Sequence, residues 1–292
     1  MITPTIYHIG ISGGKDSTAC LLWAVYESEL PRESLRFSWC DTGNEALETE
    51  AFVAALSDHV CVANGLPPIE TLRGERDFYE LAEHKGRFPS ARARFCTQEL
   101  KIKPTMVHVK RWADAGQEVI LVSGVRANES DARGKLLERE YNAVYDCYMY
   151  RPLLLWTIEN VWAIHARHGI ARNPLYDMGM TRVGCLPCVM SRKSEIAAIA
   201  RVFPERIDRI REAERSGKDH SGGLCTFASP NKVPLRYRSQ PWTHPTTGNQ
   251  IQLAMIDDVV RWATDEYGVR QGELDIEGDA APVCSDGFGM CE

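Results

Sequence analysis

The sequence predicts an α/β fold, a mostly parallel sheet with helices on both faces, followed by a smaller helical and loop-rich region. Three observations carry this. Strand-like and helix-like segments alternate through the first half of the chain, as in sheets built from crossover units. Turns rich in Gly, Asp and Ser follow the strand-like runs, at the strand ends where parallel sheets place their ligands. After residue 190 the alternation stops, and Gly, Ser, Pro and Thr become frequent.

Taken in order, Ile6 to Ile11 is an apolar run of strand length, and a helix is expected from Asp16, with Thr18 to Tyr26 apolar-periodic. Leu35 to Cys40 reads as the next strand and Glu45 to Val62 as its helix. Lys101 to Ala115 is helical in pattern, and Val119 to Ser123 is strand-like. Thr157 to Arg167 reads as a helix with a Thr cap and Glu159 in its first turn. Ser194 to Glu214 has helical periodicity interrupted at Pro204. Ser216 to Gln250 has no clear period and is expected to be loop, and Gln252 to Tyr267 restores a helix before an acidic, glycine-containing tail. The expected division is a nucleotide-binding sheet domain over 1–190 and a helical and loop-rich region over 191–292.

A chain of 292 residues has ample length for a core. Its net charge of −6 argues against a broadly basic nucleic-acid surface and leaves room for a local one. No stretch reaches membrane-span length and the N-terminus has no signal-peptide pattern, so a cytoplasmic protein without a membrane partner is expected. Ten cysteines without a secretory signal favour metal or redox chemistry over a disulfide framework. Cys20, Cys40 and Cys61 lie in apolar patterns and are expected in the core.

Between the first strand and its helix stands Ser12-Gly13-Gly14-Lys15-Asp16-Ser17. A glycine-rich turn there aims backbone N–H groups, at the positive end of a helix, at an anion. Gly13 and Gly14 permit close approach, Lys15 brings a compact charge, and Ser12 and Ser17 bring hydroxyls, so a phosphate or pyrophosphate is the expected ligand. The spacing differs from that of ordinary P-loop ATPases. It resembles the PP-loop of ATP pyrophosphatases, which implies ATP with Mg²⁺ and cleavage between the α- and β-phosphates. Two strand-end segments should complete this site. In Asp41-Thr42-Gly43-Asn44, Asp41 would meet a ribose, an adenine edge or a metal, and Gly43 would allow close backbone approach. In Ser123-Gly124-Val125-Arg126, Arg126 offers a planar fork for phosphate.

Further segments fall in a recognisable order: Asp41-Thr42-Gly43 with Glu48-Thr49; Arg94-Phe95-Cys96 with Leu100-Lys101 and Pro104; Gly124-Val125-Arg126 with Glu129-Ser130 and Arg133. Arg151-Pro152-Leu153 with Trp156-Thr157 and Val161-Trp162 comes next, then Asn173-Pro174-Leu175-Tyr176 and Gly184-Cys185. This order resembles the phosphoadenosine-phosphosulfate (PAPS) reductase-like family of the PP-loop superfamily, over roughly residues 5 to 190. The resemblance implies a Rossmann-like parallel sheet and an adenine nucleotide ligand. Two departures separate the chain from reductases of that family. Its Ser12–Ser17 loop is intact where theirs is degenerate, and no histidine follows Cys291 where theirs carry one. Both point toward relatives that couple ATP cleavage to sulfur transfer.

Cys185-Leu186-Pro187-Cys188 presents two sulfurs at one turn. Related proteins bind a [4Fe–4S] cluster with such a pair plus distant cysteines, and the resemblance implies Cys96 as third ligand and Cys225 as fourth. A zinc site using His220 or Cys225, and a redox dithiol, stay open. Cys291, with Cys284, lies in the tail, where it would serve as a catalytic thiol that carries or attacks sulfur, or belong to a frayed or partner-docking terminus. Lys218, Lys232, Arg236 and Arg238, interleaved with Phe227, Tyr237 and Trp242, suit single-stranded or flipped nucleic acid as well as an ordinary solvated loop.

The expected function is ATP cleavage that activates a substrate for sulfur transfer, assisted by an iron–sulfur cluster, with a sulfur donor or thioredoxin-like protein as partner and nucleic acid as a further acceptor. A thiol-dependent sulfonucleotide reductase is the alternative enzyme. A nucleotide-binding accessory subunit of a mobile element or defence system is the alternative of another class.

Overall fold

In β1 (Thr5–Ile11), alternation divides the residues between two environments. Ile9 and Ile11 enter one apolar cluster with Leu21, Phe37, Leu153 and Ile164, whereas Ile6 enters another with Val109, Trp112 and Met149. Burial on both faces is what a central parallel strand requires. β1 indeed lies between β2 (Leu35–Asp41) and β4 (Glu118–Val122), with Ile9 opposite Phe37 and Val122. The computed structural model describes residues 5–216, 225–229, 232–243 and 247–265.

The six-stranded sheet has the order β3-β2-β1-β4-β6-β5. β3 (Ile69–Arg73) is parallel to β2 and β6 (Cys147–Tyr150) to β4, and β5 (Arg139–Asn142) is an antiparallel edge on β6. α1 (Lys15–Leu22), α2 (Leu47–Leu56), α3 (Phe78–Lys85), the single turn α4 (Phe95–Thr97) and α5 (Lys103–Asp114) alternate with these strands. α6 (Ile158–Arg167), α7 (Lys193–Val202), α8 (Pro204–Ser216) and α9 (Ile256–Thr264) follow, with β7 (Gln240–Thr243) and β8 (Gln250–Leu253) paired as a separate antiparallel ribbon. The α/β class and the parallel sheet are thus as expected.

Several boundaries differ from the sequence reading for identifiable reasons. Wider turns over Trp23–Glu27 and Ser57–Cys61 carry α1 and α2 beyond their regular portions, which is why the periodicity reads as longer helices. The expected loop before residue 250 contains β7, where Pro241 and polar neighbours hide the alternation. β8 takes Gln252 and Leu253 from the start of the expected last helix, which begins at Ile256. α3 starts at a reciprocal cap: Asp77 accepts from the Tyr79 and Glu80 amides, and Glu80 accepts from the Asp77 amide.

A third apolar cluster joins residues on both sides of position 190. Phe78, Leu100 and Leu186 share it with Ile199, Ile210, Phe227, Ile256 and Val259. Among the described residues, no helix is long and apolar enough to cross a membrane. Phe227 and Tyr237 are 4% and 6% exposed, so neither forms a stacking surface for bases, and the expected nucleic-acid loop loses two of its aromatic residues to the interior.

Glu214 closes this region from within. Its carboxylate, 1% exposed, accepts the Phe227 amide at 2.8 Å and the Ile256 amide at 2.8 Å, tying α8 to the segment at 227 and to the start of α9. Burial pushes its pKa up to about 7, against the pull of the two N–H donors. A folded pKa above the ordinary 4.5 means that the protonated carboxyl favours the folded state. Its contribution is complete below pH 4.5 and is lost as pH rises through about 7. Unfolding free energy should therefore decline across that window by up to about 3 kcal/mol from this group. Glu214→Gln should flatten the decline and cost about 1–3 kcal/mol at pH 5, because its amide N–H₂ meets an N–H. Denaturant unfolding at pH 5, 6 and 7.5 checks both.

Candidate active site

The turn after β1 is braced by its own hydroxyls. Ser17 Oγ donates to the Gly14 carbonyl at 3.1 Å, accepts the Ser12 amide at 3.1 Å, and lies 2.9 Å from Ser12 Oγ. The Gly14 amide donates to Ser12 Oγ at 3.3 Å, and the Lys15 amide donates to Tyr176 Oη at 3.0 Å. Hydroxyl oxygens thus accept the amides that the sequence assigns to a phosphate, and a phosphate would compete for them. Ser12 and Ser17, expected as direct donors to the ligand, first of all set the shape of the turn.

The backing of the turn comes from residues distant in sequence. Asn173 Nδ2 donates to the Gly13 carbonyl at 3.1 Å and to Thr49 Oγ1 at 3.3 Å. His165 Nε2 lies 2.8 Å from the Lys15 carbonyl, and burial lowers its pKa, so it sits there as neutral imidazole. Gly13 has φ +81°, and a Cβ on it would stand 2.8 Å from Thr49 Cγ2, which explains a glycine at this position.

Asp16 organises the charges. Its carboxylate, 3% exposed as a residue, binds Lys15 Nζ at 2.9 Å and Arg126 Nε at 2.5 Å. Burial alone would raise its pKa, but the Lys15 and Arg126 charges outweigh burial and hold it below the ordinary carboxylate range. The two cations assigned to phosphate are therefore brought together, as expected, but through a shared carboxylate. Gly124 makes that junction possible: a Cβ there would lie 2.5 Å from the Asp16 carbonyl oxygen. Its role is close packing of strand end on helix start rather than approach to ligand.

The second strand end departs from expectation. Asp41 accepts the Gly43 amide at 2.9 Å and Arg73 Nε at 2.7 Å, so it closes a turn and pairs with an arginine. A Cβ on Gly43 would stand 2.7 Å from Asp77 Cβ, so its close approach is to α3 instead of a nucleotide. Thr42 faces the cysteines: its Oγ1 lies 3.5 Å from Cys185 Sγ and donates to Glu45 at 2.7 Å.

Two cavities lie at this end of the sheet, and Ser12 of the turn lines the first. The first, roughly 620 Å³, runs along the face of the sheet under α5, where the β1 residues His8 and Gly10, Ser12 just beyond them, and the β2 residues Ser38 and Cys40 line it. Cys40 is therefore cavity-facing instead of core, its thiol near Thr105 Oγ1 at 3.6 Å, while Cys20 and Cys61 are fully buried as expected. His8 holds Ser38 Oγ at 2.8 Å, and burial, then His108 and Arg111, push its pKa down to about 3. The second cavity, roughly 790 Å³, is lined by Cys96, Cys185 and Cys188, with Arg94 and Arg182. Lys101 and Gly184 line both. Ser12 and the cysteines consequently line neighbouring spaces with common walls.

Three of the four cysteines assigned to a metal thus meet at one cavity. Cys225 does not line it; it is 5% exposed within the third apolar cluster. Among the described residues, no group of three or more His, Cys, Asp or Glu side chains is arranged to hold a metal ion. The thiols have the softness for iron or zinc, but their arrangement here closes no coordination sphere. Cys291, Cys284 and His220 lie outside the described residues.

A model of the phosphoadenosine phosphosulfate reductase domain matches residues 7–191. The chain belongs to this family. The 37.8 kDa protein of the gpa 5′ region in Escherichia phage 186 is 33% identical over 99% of this chain and 97% of its own length. Adenosine 5′-phosphosulfate reductase of Allochromatium vinosum is 30% identical over 54% of this chain, which spans 59% of that enzyme. The PAPS reductase of Candida auris, solved with phosphate, aligns with a TM-score of 0.46 at 16% identity, covering 62% of this chain and 82% of its own. Within the PAPS reductase domain, Asn173 and Tyr176 stand in a motif legible in the sequence, whereas His165 and Glu45 carried no signal of their own.

Gly124→Ala tests the junction. The added methyl meets backbone, which cannot swing aside, so overpacking of about 1–3 kcal/mol is expected. Displacement of Asp16 should also weaken nucleotide binding by about tenfold or more. Thermal unfolding and calorimetric titration with a non-hydrolysable ATP analogue measure the two effects.

Proposed function

We propose that the chain binds ATP at the Ser12–Ser17 turn and cleaves it between the α- and β-phosphates, activating a substrate for sulfur transfer at the neighbouring cysteines. The observation that carries this reading is the pair of adjoining cavities with Lys101 and Gly184 as common walls. A nucleotide anchored at α1 would reach from the sheet face toward Cys96, Cys185 and Cys188. The intact turn supplies what α–β cleavage demands: amides at a helix N-terminus, a lysine, and an arginine oriented by Asp16. Lys15 would neutralise charge developing on departing pyrophosphate, and Arg126 would hold the α-phosphate in line. Mg²⁺ arriving with ATP would offset phosphate charge. No step is assigned to an iron–sulfur cluster, since the described thiols do not enclose one; stoichiometric iron and sulfide after anaerobic purification would reverse that judgement.

Sulfonucleotide reduction is the second reading, favoured by thiols within one cavity of a family that includes an adenosine 5′-phosphosulfate reductase. A nucleotide-binding accessory role is the reading of another class. Assays separate them: pyrophosphate release from ATP supports the first, sulfite release from adenosine phosphosulfate or PAPS the second, and binding without either product the third. Lys15→Ala should cut pyrophosphate release by about 100- to 1000-fold. Unchanged ATP binding and pyrophosphate release in that variant would overturn the proposal.

A further inference from the structure

The turn that carries Cys188 is fixed by bonds within itself and by one lysine from far along the chain. Within the turn, the Ser191 amide donates to the Cys188 carbonyl at 2.8 Å, and the Cys188 amide donates to Ser191 Oγ at 3.1 Å. The Met190 amide points at Cys188 Sγ, 3.4 Å away. Two further carbonyls of the turn meet a lysine. Lys232 Nζ donates to the Ser191 carbonyl at 2.5 Å and to the Val189 carbonyl at 3.4 Å. Cys188, Val189, Met190 and Ser191 all line the cysteine cavity, so the ammonium binds the backbone of that wall.

Lys232 is well anchored for this. The next residue, Val233, is fully buried, its carbonyl accepts Arg238 Nε at 2.7 Å, and the Lys232 amide donates to the Ser229 carbonyl at 2.9 Å. Arg182, Glu195 and Cys188 are the charged and titratable groups that face the ammonium. Glu195 already binds Arg182 at 3.4 Å, Thr181 Oγ1 at 2.6 Å and the Arg192 amide at 2.8 Å. A surface lysine reading for this residue is therefore ruled out by its partners: it spends two donors on backbone oxygens of the cavity wall.

We infer that Lys232 is a positioning residue for Cys188, holding the Cys188–Ser191 turn so that its sulfur keeps the Met190 amide and faces the cavity. Lys232 lies beyond the matched family domain, which ends at residue 191. The region after the domain is thereby a working part of the cysteine site. The inference rests on the proposed role of these cysteines for its meaning, but its test needs neither nucleotide nor turnover.

The test compares the full chain with Lys232→Met and Lys232→Arg by hydrogen exchange and by iodoacetamide alkylation mapped to individual cysteines. Lys232→Met should speed exchange of the Met190 and Ser191 amides by about tenfold or more, while the Leu186 amide keeps its rate. The Cys188 alkylation rate should shift by about fivefold or more with the Cys40 rate unchanged, and Lys232→Arg should restore both within about twofold. If Lys232→Met does not fold, Lys232→Gln, which keeps one donor group, replaces it. Unchanged exchange and alkylation in a folded neutral variant would overturn the inference. So would changes spread equally over Cys40 and Leu186, or failure of arginine to restore them. Loss of ATP cleavage alone would touch only the nucleotide reading.

Discussion

Residues 42–45 and 185–187 are stitched together through their backbones, and the geometry of everything around the site depends on that seam. The Leu186 amide donates to the Asn44 carbonyl at 2.7 Å, Asn44 Nδ2 donates to the Pro187 carbonyl at 3.0 Å, and Glu45 and Cys185 form an isolated bridge. Asn44 is fully buried, where unpaired amides would be costly, so the seam resists partial opening. From the far side, the Phe78 amide binds the Thr42 carbonyl, Arg206 the Glu45 carbonyl at 2.8 Å, and Arg209 the Gly43 carbonyl at 3.3 Å. A short loop at a strand end is thus held by α3, by the cysteine turn and by α8 together. The cysteine turn is thereby fixed to the end of β2, which lies beside β1 in the sheet.

The legible part of the protein was the part whose chemistry is local. A strand, a glycine pair and a helix start occupy adjacent positions, so the Ser12–Ser17 turn and its partners in the sheet could be read directly. Lys15 and Arg126 were assigned to phosphate from their types, and both do converge. Their convergence on Asp16 was not readable, because the pairing depends on how closely β4 packs against α1, which Gly124 sets. Asp41 and Gly43 misled for the same reason: Arg73 and Asp77, which occupy them, come from other elements. Short strands such as β5 and β7 carry too few alternating residues to announce themselves, and β7 contains a proline.

Charge was readable as a sum and misleading as a surface. The chain is acidic overall, yet Lys101, Arg94 and Arg182 line the two cavities, with Glu45 and Glu195 beside them. Of the basic loop residues singled out for nucleic acid, Lys232 faces inward, Arg238 binds a carbonyl, and Arg236 stacks on Tyr237 at 5.0 Å.

Gly184 has open surroundings. A Cβ there would meet nothing within 4 Å, although the residue borders both cavities. Unlike Gly13 or Gly124, it is not imposed by crowding, and the backbone would accept other residues without strain. The size of the residue at this shared wall is accordingly a free variable of the fold. A side chain there would alter the wall the two cavities share while leaving the scaffold intact.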